Sequence, residues 1–164
     1  MAVGTLFSCE SLAVTIESPF TDEDRVESLK AAVLAGTAAG AIAALLLLLH
    51  RMPFVSWGAA LRSITAGLGG STFWVSAAIA GLSGGLFGIT YRYAVRQDPN
   101  PQLKAGVVLA FSLVRGLALV NVAAAVSLRG WPFAVEIAES LLIFATAAAS
   151  LELARQQNWI KPVK

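Results

Sequence analysis

Four long apolar stretches alternate with short polar segments along the chain, covering approximately residues 31–49, 71–91, 105–128 and 133–154. A helix of about 20 apolar residues crosses roughly 30 Å of hydrocarbon, so each stretch is long enough to span a bilayer. The pattern predicts an all-α fold, an integral membrane bundle of four transmembrane helices.

The N-terminal region reads as a tail followed by a helix start. Residues 1–20 are interpreted as the tail because Ser18-Pro19-Phe20 interrupts regular structure, and residues 21–164 as the four-helix transmembrane domain. In Thr21-Asp22-Glu23-Asp24 the threonine can cap the helix, and the acids suit the positive end of its dipole. We expect the helix to continue from Asp22 into the first span.

The segment between spans one and two predicts a short interfacial helix. Residues 54–66 combine apolar Trp57, Leu61 and Ile64 with Arg62, a mixture typical of a helix that lies at a membrane surface. A glycine cluster follows and is expected to loosen the backbone before span two. Its members are Gly67, Gly69 and Gly70.

Glycines four residues apart predict close helix contacts in the first two spans. Such spacing lets another backbone approach one helix face. Packing within the chain is preferred to dimerisation, and span two is placed at the centre of the bundle. The glycines concerned are Gly36, Gly40, Gly81, Gly84, Gly85 and Gly88.

The third span carries a charge near its middle. Between Ala105 and Leu128, twelve Leu, Val and Phe residues accompany Arg115. An arginine at the centre of a membrane helix costs about 2.5–3.5 kcal/mol on insertion scales, which the apolar residues can offset. Its guanidinium therefore needs a carboxylate, backbone carbonyls, water, lipid or another subunit.

The fourth span supplies the acids that could neutralise Arg115, namely Glu136, Glu139 and Glu152. With spans three and four as a hairpin centred on Gly130, Arg115 is offset from Glu139 by about 9 Å and from Glu152 by about 10 Å. The side chains of a helix lean toward its N-terminus. Arg115 and Glu152 then lean toward each other, whereas Arg115 and Glu139 lean apart. Both partners remain open. Asn121 is expected to form an interhelical hydrogen bond outside this site.

Composition excludes several classes of function. Charged residues make up 13% of the chain and the net charge is +2. This charge is too small to indicate a nucleic-acid-binding protein. Cys9 is the one cysteine, and the one histidine, His50, is interpreted as a surface residue rather than a metal or pigment ligand. Phosphate-binding loops, dinucleotide fingerprints and hydrolase motifs are absent from the sequence, so an enzyme is the weakest reading.

The distribution of basic residues predicts orientation. The N-terminal segment, the loop of residues 92–104 and the C-terminal tail together carry eight Lys and Arg residues, against three on the other side. Positive charge favours the cytoplasmic side, which places both termini and this loop in the cytoplasm.

The run from Gly84 to Val120 resembles a poorly characterised family of small multi-pass proteins from the thylakoid membranes of cyanobacteria and from plastids. The resemblance rests on Tyr91-Arg92-Tyr93-Ala94, on Asp98-x-Asn100 and on Leu113-Val114-Arg115-Gly116. It implies a thylakoid location and supplies no catalytic residue.

Together these features predict a non-enzymatic membrane protein of a photosynthetic membrane, an assembly factor or accessory subunit of a larger complex. The alternative is a small oligomeric transporter or channel that uses Arg115 with Glu139 or Glu152. A third reading is a lipid or pigment carrier. The sequence predicts no cofactor and leaves a bound lipid or pigment open. Expected partners are membrane lipids and a larger membrane complex or a second copy, with no nucleic acid.

The hairpin of spans three and four can be tested by cysteine labelling. In a Cys9→Ser background, single cysteines at Asn100 and Gly130 should react with an impermeant maleimide from opposite faces of sealed vesicles, Asn100 from the cytoplasmic face. Reaction of both from the same face would remove the hairpin.

Overall fold

The computed structural model describes residues 22–51, 57–65, 67–126 and 131–161, and in these ranges it contains helices and no strand. Four helices are long and apolar enough to cross a membrane, which is compatible with an integral membrane protein. The predicted all-α bundle of four such helices is confirmed. In chain order the helices are α1 (Asp22–Arg51), α2 (Trp57–Thr65), α3 (Gly67–Val95), α4 (Pro101–Val126) and α5 (Trp131–Gln156).

Helix α4 begins four residues before the predicted span. The Asn100 side chain accepts a hydrogen bond from the Gln102 amide at 2.9 Å and so caps the helix. Pro101 occupies the first helical position, where its missing N–H costs nothing. The segment that the sequence marks as a turn therefore also starts the helix. The N-terminal tail and Thr21 lie outside the described residues.

The expectation that the glycine cluster loosens the backbone is wrong, because α3 already begins at Gly67 and includes Gly69 and Gly70. Regular helix satisfies backbone groups internally, which an apolar environment strongly favours. The short helix α2 forms where the sequence predicts one, and the Trp74 indole of α3 donates to the Ile64 carbonyl of α2 at 3.2 Å. Its place at a membrane surface stays a prediction.

Helices α1 and α3 form the most extensive contact of the bundle. The buried face of α1 is an alanine repeat at every fourth residue, and the facing surface of α3 is glycine. A Cβ at Gly88 would lie 2.6 Å from the Ala31 carbonyl oxygen, and one at Gly36 would lie 2.9 Å from that of Gly81. The two backbones are in direct contact. The alanines are Ala31, Ala35, Ala39 and Ala43, each at most 4% exposed.

Helices α4 and α5 form the second closely packed pair, and α5 joins it to α1. A Cβ at Gly116 would lie 3.1 Å from the Ile137 Cα, so α5 packs directly on the α4 backbone there. At mid-height the rings of Phe87, Phe111 and Phe144 pack with centroids 5.3–5.6 Å apart. This aromatic cluster fills the centre between α3, α4 and α5.

The α1–α3 contact predicts which glycines tolerate a methyl group. Gly84→Ala and Gly88→Ala should each destabilise the protein by about 1–3 kcal/mol, because the new Cβ meets carbonyl oxygens and alanine methyls of α1. Gly106→Ala is the matched control, since nothing lies within 4 Å of a Cβ there. Thermal unfolding in detergent measures the difference. Equal melting of all three variants would refute the close approach.

Candidate functional site

A cavity of about 220 Å³ lies among all four long helices, and we call it the polar cavity. Apolar residues form much of its wall, but each helix also contributes at least one polar side chain. The polar lining consists of His50 from α1, Ser76 from α3, Arg115 from α4, and Glu136, Glu139 and Ser140 from α5.

The helical repeat of α5 explains why its three polar residues meet. Glu136, Glu139 and Ser140 are three and four residues apart and therefore share one helix face. They lie within the first turns of α5, close to the end of α1. The cavity thus occupies the half of the bundle where α1 ends and α5 begins, here called the cavity end. The opposite half, which contains the turn of residues 96–100, is the turn end.

His50 closes one side of the polar cavity through an ion pair. Its Nδ1 lies 3.1 Å from Oε1 of Glu139, and the Glu139 side chain is 21% exposed. When the imidazole is protonated the pair carries no net charge. The His50 side chain is 53% exposed, which agrees with the sequence interpretation of a surface residue, and the contact with Glu139 is an addition to it. No spacing signal could reveal this contact, because it depends on which helix lies beside α1.

Two buried polar atoms of the cavity lack hydrogen-bond partners among the described residues, Nε of Arg115 and Oγ of Ser140. Ser140 is 1% exposed. Other hydroxyls on these helices bond to a carbonyl of the preceding turn, as Ser112 does to Val108 at 2.7 Å. Burying a polar group without a partner costs free energy, so both atoms are available to bond with water or with a ligand in the cavity.

Glu136 is the third group in the polar cavity that remains uncompensated. Within the described part of the chain it forms no ion pair, although it lines the same cavity as Arg115. The cavity therefore presents one cation and one carboxylate that are close but not in direct contact within 4 Å.

The prediction that Arg115 leans toward Glu152 is wrong. Glu152 lies at the turn end, where it accepts a hydrogen bond from the Tyr91 hydroxyl at 2.8 Å. It also pairs with Lys104 at 2.9 Å and with Arg155 at 3.5 Å. Tyr91 itself is buried, at 2% exposed.

The error lies in the assumed centre of the α4–α5 hairpin. Gly116 contacts Ile137, and Phe111 packs on Phe144, so facing residues have numbers that are symmetric about roughly 127 rather than 130. This register sets Arg115 about level with residue 139, close to both acids of the cavity. Glu152 is then about 20 Å further along the axis.

The remaining intramembrane candidate, Asn121, lies on the exposed side of α4 and does not line the polar cavity. No hydrogen bond of its side chain occurs among the described residues. The interhelical hydrogen bond that the sequence predicts for this amide is therefore not formed among the described residues.

At the turn end, a buried arginine connects three segments of the chain. The sequence did not identify it as a candidate site residue. Arg92 is 5% exposed. It donates to the Asp24 carbonyl at 2.9 Å, to Ser28 Oγ at 2.6 Å and to the Lys161 carbonyl at 3.2 Å. Asn158, at φ 58°, ends α5 in a left-handed turn that brings Lys161 back to α1. These contacts hold α1, α3 and the C-terminal segment together.

The polar cavity combines hydrogen-bond donors and acceptors. It offers donors in Arg115 and Ser140 and acceptors in Glu136 and Glu139. In the part of the chain that the structure describes, no three His, Cys, Asp or Glu side chains are grouped to hold a metal ion.

A double-mutant cycle tests the placement of Arg115. Arg115→Gln should couple to Glu136→Gln or Glu139→Gln by more than about 0.5 kcal/mol in unfolding free energy, because these charges share one cavity. Glu152→Gln is the control and should couple by less. Coupling to Glu152 alone would contradict the register of α4 and α5.

Comparison of the chain with family models, with curated proteins and with solved structures finds no match. The fold and the polar cavity therefore supply the structural basis for a functional proposal.

Proposed function

We propose that this chain is a non-enzymatic integral membrane protein that acts as an accessory subunit or assembly factor of a larger membrane complex. The observation that carries the proposal is the outward surface of α4, which the bundle leaves uncovered. Helix α4 packs chiefly on α5 and only slightly on α3, so one whole side of it faces away from the protein.

This surface, the α4 outer face, has the composition of a helix–helix interface. Its residues are exposed and recur at the helical repeat, with small residues at its start and an amide at its end. The members are Gly106, Ala110, Leu113, Val114, Leu117 and Asn121. Small residues four apart allow a neighbouring helix to approach closely, and an amide can hydrogen-bond across such a contact.

Gly106 supports the interface assignment because no contact inside the bundle requires a glycine at this position. A Cβ there would meet no atom within 4 Å, whereas one at Gly84 or Gly88 would meet α1. Glycine within a helix costs about 1 kcal/mol relative to alanine. A helix that packs on the α4 outer face would explain why the chain carries that cost.

The proposed location is a photosynthetic membrane, the cyanobacterial thylakoid, with both termini in the cytoplasm. It is supported by the resemblance of residues 84–120 and by the distribution of basic residues. Much of the α4 outer face falls inside that run. The non-enzymatic character is supported by the absence of catalytic motifs from the sequence.

Transport is the second candidate, and the polar cavity is the observation that favours it. The aromatic cluster of Phe87, Phe111 and Phe144 argues against a continuous path, because it packs immediately on the turn-end side of the cavity. Phe87 and Phe144 are at most 1% exposed. Ion or solute flux in proteoliposomes that carry the purified chain would support transport over the accessory role.

If the chain is an accessory subunit that docks through α4, larger side chains on the α4 outer face should prevent it from binding its complex. Ala110→Leu together with Asn121→Leu should abolish co-purification of a membrane complex in mild detergent, because the leucines block a close helix contact. Ala78→Leu, at an exposed site on α3, is the matched control and should retain it. Native purification with mass spectrometry identifies the partner.

Unchanged co-purification of the Ala110→Leu/Asn121→Leu variant would remove α4 as the docking helix. Purification of the unaltered chain with lipid alone, from every mild detergent tried, would count against the accessory role itself.

A further inference from the structure

The charges of the polar cavity leave one cation and one anion without a partner. Nδ1 of His50 lies 3.1 Å from Oε1 of Glu139, so these two groups are partners of one another. What remains is Arg115, whose Nε is buried and unbonded, the buried Ser140 hydroxyl, and the carboxylate of Glu136. The uncompensated groups are thus two donors, one of them cationic, and one anionic acceptor.

We propose that the polar cavity is a binding site for a small zwitterion that carries a protonated amine and an oxyanion. The oxyanion accepts hydrogen bonds from Nε of Arg115 and Oγ of Ser140. The ammonium group donates to the carboxylate of Glu136. This inference is independent of the accessory role, which depends on a different surface.

Charge complementarity selects this class over simple ions. An inorganic anion would satisfy Arg115 but would add negative charge beside Glu136, and an inorganic cation would leave the Arg115 and Ser140 donors unbonded. A zwitterion satisfies all three groups and adds no net charge to a poorly solvated site. A guanidinium is also well suited to carboxylate and phosphate oxygens, which it binds in a planar, directed geometry.

The size of the cavity agrees with a small ligand. Its volume of about 220 Å³ corresponds to about seven water molecules at ~30 Å³ each. That space admits a small amino acid or the ethanolamine phosphate portion of a lipid. The apolar wall of Ala43, Leu46, Leu47, Leu119 and Ile143 disfavours a large polar ligand.

Two sources can supply the same chemistry. A free amino acid would enter from the aqueous phase at the cavity end. A phosphatidylethanolamine headgroup would enter from the membrane, with its acyl chains along the exposed apolar surface of the helices. Both present an ammonium group and an oxyanion a few atoms apart, and they differ in how they can be delivered.

The first arm of the test uses soluble probes. The full chain in detergent is titrated calorimetrically with glycine, serine and phosphoethanolamine, and with trimethylglycine as a control that lacks N–H donors. Binding of at least one primary-amine probe, with about tenfold or greater preference over trimethylglycine, is expected if the ammonium group donates to Glu136.

The second arm uses lipid. The chain is placed in nanodiscs of phosphatidylcholine with and without phosphatidylethanolamine, and retained lipid is measured by native mass spectrometry. Selective retention of phosphatidylethanolamine identifies the lipid as the source, and binding of a soluble probe alone identifies a free zwitterion.

Matched variants locate the site. Arg115→Gln and Glu136→Gln should each weaken binding about tenfold or more, whereas Arg25→Gln and Glu23→Gln, exposed at the start of α1, should not. The double variant Arg115→Gln/Glu136→Gln leaves no single charge stranded in the cavity, so it should fold and bind no probe. Its melting temperature and monodispersity serve as the folding check.

The proposal fails if neither arm shows primary-amine binding by the unaltered chain. It also fails if the folded double variant binds as tightly as the unaltered chain, because the ligand would then lie elsewhere. Equal binding of trimethylglycine and glycine would remove the role of Glu136 and refute the zwitterion assignment. None of these outcomes bears on docking at α4.

Discussion

The close approach of the α1 and α3 backbones is the constraint on which the rest of the bundle depends. Alanines on α1 meet glycines on α3, and the contact leaves no room for a Cβ at Gly84 or Gly88. In an apolar surrounding, helices gain little from hydrophobic burial, so packing of small residues and interhelical hydrogen bonds must hold them together. With α1 and α3 fixed in this way, α5 fits against both, and α4 is held mainly by α5.

Polar interactions act at the two ends of this apolar core in different ways. At the turn end Arg92 and Glu152 are surrounded by partners from separate segments, so buried charge there is compensated within the chain. At the cavity end the compensation is incomplete. His50 and Glu139 pair, but Arg115, Glu136 and Ser140 do not find partners among the described residues. This contrast is the basis for proposing a ligand in the polar cavity, whereas the Arg92 network is compensated within the chain.

The aromatic cluster separates the two ends. Phe87, Phe111 and Phe144 come from three helices and pack at mid-height. Dense packing there leaves little free volume, so the polar cavity does not continue past the cluster toward the turn end. The cluster lies on the turn-end side of the cavity, and the exposed α4 outer face lies on a different side of the bundle, so the two proposals depend on separate parts of the structure.

The sequence by itself determined the number, type and approximate bounds of the long helices, because an apolar run of about 20 residues is a strong local signal. It also identified Arg115 and the α5 acids as unusual, since charge inside an apolar run is visible without a structure. It failed where the answer depended on how helices align. A hairpin centre placed three residues too late made Glu152 at the turn end as eligible a partner for Arg115 as Glu139 at the cavity end. The pairing of His50 with Glu139 and the burial of Arg92 were decided only by tertiary structure. Each needs side chains from helices far apart in the chain, and no local pattern records which helices are neighbours.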